Sequence, residues 1–152
     1  MGDKMKLMNN LSIDTLMKPY ENGYFSEDQL DCIRWGLEKN FDVSIYATPD
    51  YNLWQMHQIC NGLEHGRDVS LYADPRFNED QMEIINEGLC KGIDASIYAN
   101  SRFDWRQMNA ILHGLVIGVD VSSYLDPTIP HDEMYDICKR LEMEKSTNEN
   151  DE

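Results

Sequence analysis

The residues with the most chemical potential in this 152-residue chain are an aspartate, a serine and a tyrosine that recur together. The sets are Asp42, Ser44 and Tyr46; Asp68, Ser70 and Tyr72; Asp94, Ser96 and Tyr98; and Asp120, Ser122 and Tyr124. A carboxylate, a hydroxyl and a phenol at fixed spacing invite an acid–base or nucleophilic reading. Catalysis, however, requires one constellation, whereas equivalent copies are what the packing of like units requires. The aspartates therefore read as helix N-caps. The tyrosines read as inter-repeat packing residues whose hydroxyls find a partner. His57, His65, His113 and His131 lack the i, i+4 partner of a metal-binding helix. Cys32, Cys60, Cys90 and Cys138 show neither zinc nor C-x-x-C spacing. No phosphate-binding glycine loop, nucleophile elbow or EF-hand loop is present. The reading is a non-enzyme that needs no cofactor and no metal.

The elements that position these residues follow from a 26-residue period, with copies starting at Phe25, Tyr51, Phe77, Phe103 and Ile129. A fixed period of this length signals a repeat architecture. Ser26, Asn52, Asn78 and Asp104 stand three residues before Gln29, Gln55, Gln81 and Gln107. That is the capping-box pattern, and the aromatic before each cap is placed for a hydrophobic staple with Leu30, Met56, Met82 or Met108. A helix of about three turns is expected after each cap, with Met82, Ile85 and Leu89 on one stripe of the central copy. Gly36, Gly62, Gly88 and Gly114 inside these helices imply close approach of a neighbouring element. Gly66, Gly92 and Gly118 fall where a left-handed residue ends a helix, and Asn40 substitutes in the first copy. A second helix of one to two turns is expected after each aspartate, and Pro49, Pro75 and Pro127 break the chain before the next copy. Such units bury their apolar stripes only by stacking.

The expected organisation is a single domain with an atypical unit at either end. Residues 1–24 read as a degenerate N-terminal cap repeat, with Leu7, Leu11 and Tyr20 matching Ile33, Leu37 and Tyr46. Residues 25–128 hold the four regular repeats and 129–144 a C-terminal cap repeat, where Glu133 replaces Gln and Arg140 replaces Gly. Residues 145–152, KSTNENDE, lack apolar side chains and read as a disordered acidic tail. The formal charge is −15; the last ten residues hold four acids and one lysine, which leaves −12 on the rest. That charge disfavours direct binding to nucleic acid and to anionic membranes. It suits a basic or nucleic-acid-binding protein partner. No export signal is evident and no apolar run approaches a membrane span, so reduced thiols in a cytoplasmic setting are expected.

Positions that differ between copies are the informative ones, because stacking does not dictate them. Trp35 stands in a column otherwise holding Asn61, Glu87, His113 and Lys139. Trp54 and Trp105 lie in a first helical turn that is acidic in the other regular copies, and Tyr135 extends the set into the last unit. Large aromatics in polar columns are candidate partner contacts; the other reading is that they close gaps at the edge of the core. Acids beside them, Asp28, Asp31, Glu79, Asp80 and Glu83, complete the candidate partner-binding set.

The stretches QMEIINEGLCKGIDASIY and QMHQICNGLEHGRDVSLY share the frame Q-M-x-x-I-x-x-G-L-x-x-G-x-D-V-S-x-Y, with x and conservative changes allowed. This frame resembles the helical repeats of similar length found in bacterial proteins carried by conjugative elements and phages, over residues 25–141. Departures are Leu30, Asn40, Arg67, Ala95 and Arg140. The resemblance transfers no catalytic residue. Together with the residue pattern it leads to the expectation of an all-α short solenoid of about five long-helix/short-helix repeats, acting as a protein-binding accessory or adaptor of a mobile genetic element. The alternative expectation is an acidic inhibitor that mimics nucleic acid and blocks a nucleic-acid-binding defence or restriction protein.

Overall fold

The computed structural model describes residues 11–151, and over that span the chain is all-α with no strand. The principal helices are α1 (Ile13–Met17), α2 (Glu27–Glu38), α3 (Leu53–Glu64), α4 (Glu79–Cys90), α5 (Trp105–Ile117) and α6 (His131–Asn150). Single 3-10 turns follow α1 (Lys18–Tyr20) and α2 (Val43–Ile45), precede α4 (Val69–Leu71), and follow α4 (Ala95–Ile97) and α5 (Val121–Tyr124).

Each regular helix begins where the sequence places a cap. Ser26, Asn52, Asn78 and Asp104 accept from the backbone N–H of Gln29, Gln55, Gln81 and Gln107, and each Gln returns a bond to its cap. A cap of this kind stabilises a helix by roughly 0.5–2 kcal/mol. The exits are equally local: Gly92 takes φ 72° and Asn40 φ 59°, the left-handed geometry that a helix terminus favours. Asp42, Asp94 and Asp120 then accept from the N–H of Ser44, Ser96 and Ser122, starting single 3-10 turns at the short end of the one to two turns expected.

Repeats are joined by a device that the capping pattern does not announce. The side-chain oxygen of each Gln serves its own cap, while the amide nitrogens of Gln29, Gln81 and Gln107 reach the following repeat. Gln29 Nε2 donates to Tyr51 O at 3.0 Å, Gln81 Nε2 to Phe103 O at 2.6 Å, and Gln107 Nε2 to Ile129 O at 2.8 Å. A glutamate fulfils the first task and not the second. Glu133 occupies this column in the first turn of α6.

The glycines inside the helices have a nearer cause than a stacked neighbour. A Cβ at Gly36 would overlap the Tyr46 hydroxyl, at Gly88 that of Tyr98, and at Gly114 that of Tyr124. The approaching element is thus the short turn of the same repeat. Its tyrosine is fully buried and reaches back along the long helix, Tyr46 donating to Cys32 O at 3.1 Å and Tyr98 to Ile84 O at 2.8 Å. Arg140 stands at the glycine position of α6, and the residue ten positions later is Asn150 rather than a tyrosine.

The chain divides into two compact units between Gly66 and Arg67 rather than forming the one unit expected. Contacts in a repeat array run only between neighbours, so no core holds every repeat at once. In the first unit α2 packs on both α1 and α3; in the second α5 packs on both α4 and α6. Met56, Met82, Ile85, Met108, Ile111 and Met134 are fully buried, as the stripe requires. Arg67, in an otherwise apolar column, is accommodated by a 3.1 Å bond from its guanidinium to the buried Asn86 side chain.

Both ends depart from expectation. Leu7 lies outside the described residues, and Leu11 is 48% exposed, so it does not fill the buried place of Leu37. Met17, one 26-residue period before Val43, is buried instead. At the other end, the segment read as a disordered tail continues α6 to Asn150. Lys145 supports it, its ammonium donating to Ile117 O and Gly118 O at the end of α5, where a cation meets the helix dipole. Among the described residues no helix is long and apolar enough to cross a membrane.

Candidate functional site

In the first unit α2 and α3 leave an open groove of about 760 Å³. Residues one, two and three turns apart make its walls: Asp28, Asp31, Cys32 and Trp35 from α2; Leu53, Trp54, His57, Cys60, Asn61 and Glu64 from α3. The capping boxes at Ser26 and Asn52 set the helical phase that brings these faces together. The bond from Gln29 to Tyr51 O ties the start of α2 to the segment entering α3.

The rim is acidic and aromatic. Asp28, Asp31 and Glu64 are exposed, and no lysine or arginine lines the groove. Trp54 is 63% exposed and meets the His57 ring edge-on at 5.8 Å. Trp35 is half-buried, packed edge-on against Phe41 at 5.5 Å, with the Lys39 ammonium 5.9 Å from its ring. Trp35 thus closes the edge of the core and faces the groove as well. The floor holds two free thiols, Cys32 and Cys60, whose sulfurs lie 3.3 Å apart. Their hydrogen bond and burial push the Cys32 thiol up, whereas the bond from Cys32, aided by the Tyr46 hydroxyl, holds Cys60 down against burial.

Four of the nine candidates read from the sequence, Trp35, Trp54, Asp28 and Asp31, therefore share one groove. The remaining five belong to the second unit. Trp105 is 39% exposed, with the Arg106 guanidinium 5.2 Å from its ring. Tyr135 is half-buried between α5 and α6, accepting from Asn109 Nδ2 at 3.0 Å and lying 6.0 Å from the His113 ring. Glu79 and Asp80 occupy the first turn of α4, where the helix dipole favours acids, and Glu83 is exposed one turn on. Column comparison misses Leu53, His57, Asn61 and Glu64. Plotting the facing sides of two successive helices, with spacing i, i+4, i+8 and i+11 from Leu53, finds them.

Among the described residues no group of three or more His, Cys, Asp or Glu side chains is placed to hold a metal ion. No protein-family model matches this chain, and neither a curated protein nor a solved structure matches it.

Proposed function

We propose that this chain is a non-catalytic protein-binding repeat module, and that the groove between α2 and α3 takes a basic segment of its partner. The observation that carries the reading is the pairing of exposed Trp54 and half-buried Trp35 with Asp28, Asp31 and Glu64 in one groove without a lining lysine or arginine. Tryptophan faces attract ammonium and guanidinium groups, and carboxylates at the rim supply the matching charge. An arginine or lysine flanked by apolar residues suits such a groove, because Leu53 offers apolar surface beside the acids. The role is that of an accessory or adaptor protein, in keeping with the mobile-element resemblance, acting in a cytoplasmic setting without binding nucleic acid or membrane directly.

The test uses short peptides that alternate arginine with leucine, titrated against the whole chain while tryptophan fluorescence is followed. Saturable binding is expected, weakened about tenfold or more by Trp54→Ala and similarly by Asp28→Asn with Asp31→Asn. Unaltered affinity in both variants, with unchanged circular dichroism, would place binding elsewhere. The competing inhibitor reading depends on surface charge alone. It is favoured only if binding is retained by Trp54→Ala yet disappears at moderate salt, where exposed charges are screened.

A further inference from the structure

The two thiols at the floor of the groove have a chemistry of their own, whatever the groove binds. Cys32 on α2 and Cys60 on α3 are 8% and 5% exposed, and their sulfurs are 3.3 Å apart. That is nearer than two unbonded sulfurs ordinarily pack, yet longer than the roughly 2.05 Å of a disulfide. The helices are held in this register by contacts independent of the sulfurs: the bond from Gln29 to Tyr51 O and the burial of Ile33 and Ile59. Both thiols line the open groove, so an oxidant the size of water reaches them without unfolding. The other cysteines stand elsewhere, Cys90 exposed on α4 and Cys138 buried on α6.

We propose that Cys32 and Cys60 form a reversible dithiol–disulfide pair, oxidised by a small peroxide and closing a covalent link between α2 and α3. Cys60 is the first nucleophile. Its sulfur lies 3.3 Å from that of Cys32, and the bond between the two thiols holds its proton less tightly. The Cys60 thiolate attacks one oxygen of hydrogen peroxide; the O–O bond breaks, and the departing hydroxide takes a proton to become water. Cys60 is left as a sulfenic acid. The Cys32 sulfur then attacks the Cys60 sulfur; the S–S bond forms, the S–O bond breaks, and the hydroxyl leaves with the Cys32 proton as a second water. Two thiols are oxidised by two electrons in total and one peroxide is reduced. A thiol reductant reverses the link by exchange.

The decisive measurement is on the wild-type chain, reduced, freed of reductant and exposed to one equivalent of hydrogen peroxide. The titratable thiols in denaturant are expected to fall from the four of the sequence to two, with loss of two hydrogens from the intact mass. Digestion without reductant should yield the peptide pair joined through Cys32 and Cys60, in a monomeric product that dithiothreitol restores. Cys90→Ser should leave this unchanged, and Cys32→Ser should leave a sulfenic acid on Cys60 that dimedone captures. Chains joined through Cys90, sulfinic acid on Cys60 without a cross-link, or four surviving thiols would each overturn the proposal. The wild-type result decides even if Cys32→Ser fails to fold.

Discussion

A single side chain with two tasks is easiest to see at Gln81. Its carbonyl oxygen accepts from the Asn78 N–H and its amide donates to Phe103 O and Ser101 O. Gln81→Glu keeps the first task and turns a carboxylate oxygen toward two carbonyls. Urea denaturation should show a loss of about 1–3 kcal/mol, and the deficit should narrow as pH falls and the carboxyl regains a proton to donate. Gly88 poses the opposite question, since alanine is the better helix former by about 1 kcal/mol. Its methyl would nevertheless overlap the Tyr98 hydroxyl, so Gly88→Ala should destabilise by about 1–3 kcal/mol. Adding Tyr98→Phe to it should recover part of that loss. A double-mutant cycle by chemical denaturation checks the coupling.

The helices are legible in the sequence because their starts and stops are local. Ser26 with Gln29 and Asn78 with Gln81 specify a helix start by chemistry that spans three residues, and Asn40 and Gly92 mark an exit by backbone sterics alone. What the pattern does not disclose depends on distance. The tyrosines over Gly36, Gly88 and Gly114, the onward reach of the Gln29, Gln81 and Gln107 amides and the sulfur contact all join residues ten or more positions apart. The groove is half legible: odd tryptophans and their acids mark α2 and α3, whereas Glu64 and His57 look unremarkable until two helices are laid side by side. The continuation of α6 past Met143 is hidden for the same reason, since Lys145 is anchored by carbonyls at the end of α5. At this scale, Ile85→Ala tests the buried stripe. Ile85 is fully buried, and removing its outer carbons should lower stability by about 2–5 kcal/mol. Exposed Cys90→Ser on the same helix should stay within about 0.5 kcal/mol.

For the whole molecule, charge governs the response to salt. The chain carries −15, and its ion pairs include Asp14 with Arg34, Asp74 with Arg76, and Glu87 with Lys91. With 28 acids against 13 lysines and arginines, like-charge repulsion dominates. Sodium chloride between low ionic strength and about 0.5 M should raise the melting temperature, as screening relieves that repulsion; a fall would mean that the ion pairs outweigh it. Alkali has the reverse effect. Burial pushes the phenols of Tyr46, Tyr98 and Tyr124 above their ordinary value. Their contribution to stability is thus complete below the unfolded value of about 10 and is lost as pH rises beyond it. Phenolate absorbance and circular dichroism should change together on alkaline titration. The Gln amide also gives the array a direction. When a repeat opens, the repeat before it is left with an unanswered donor at its own helix start, while the repeat after it keeps both bonds of its capping box. Damage should therefore be felt more strongly upstream than downstream, and hydrogen exchange after a lesion in α5 should quicken first at the start of α4.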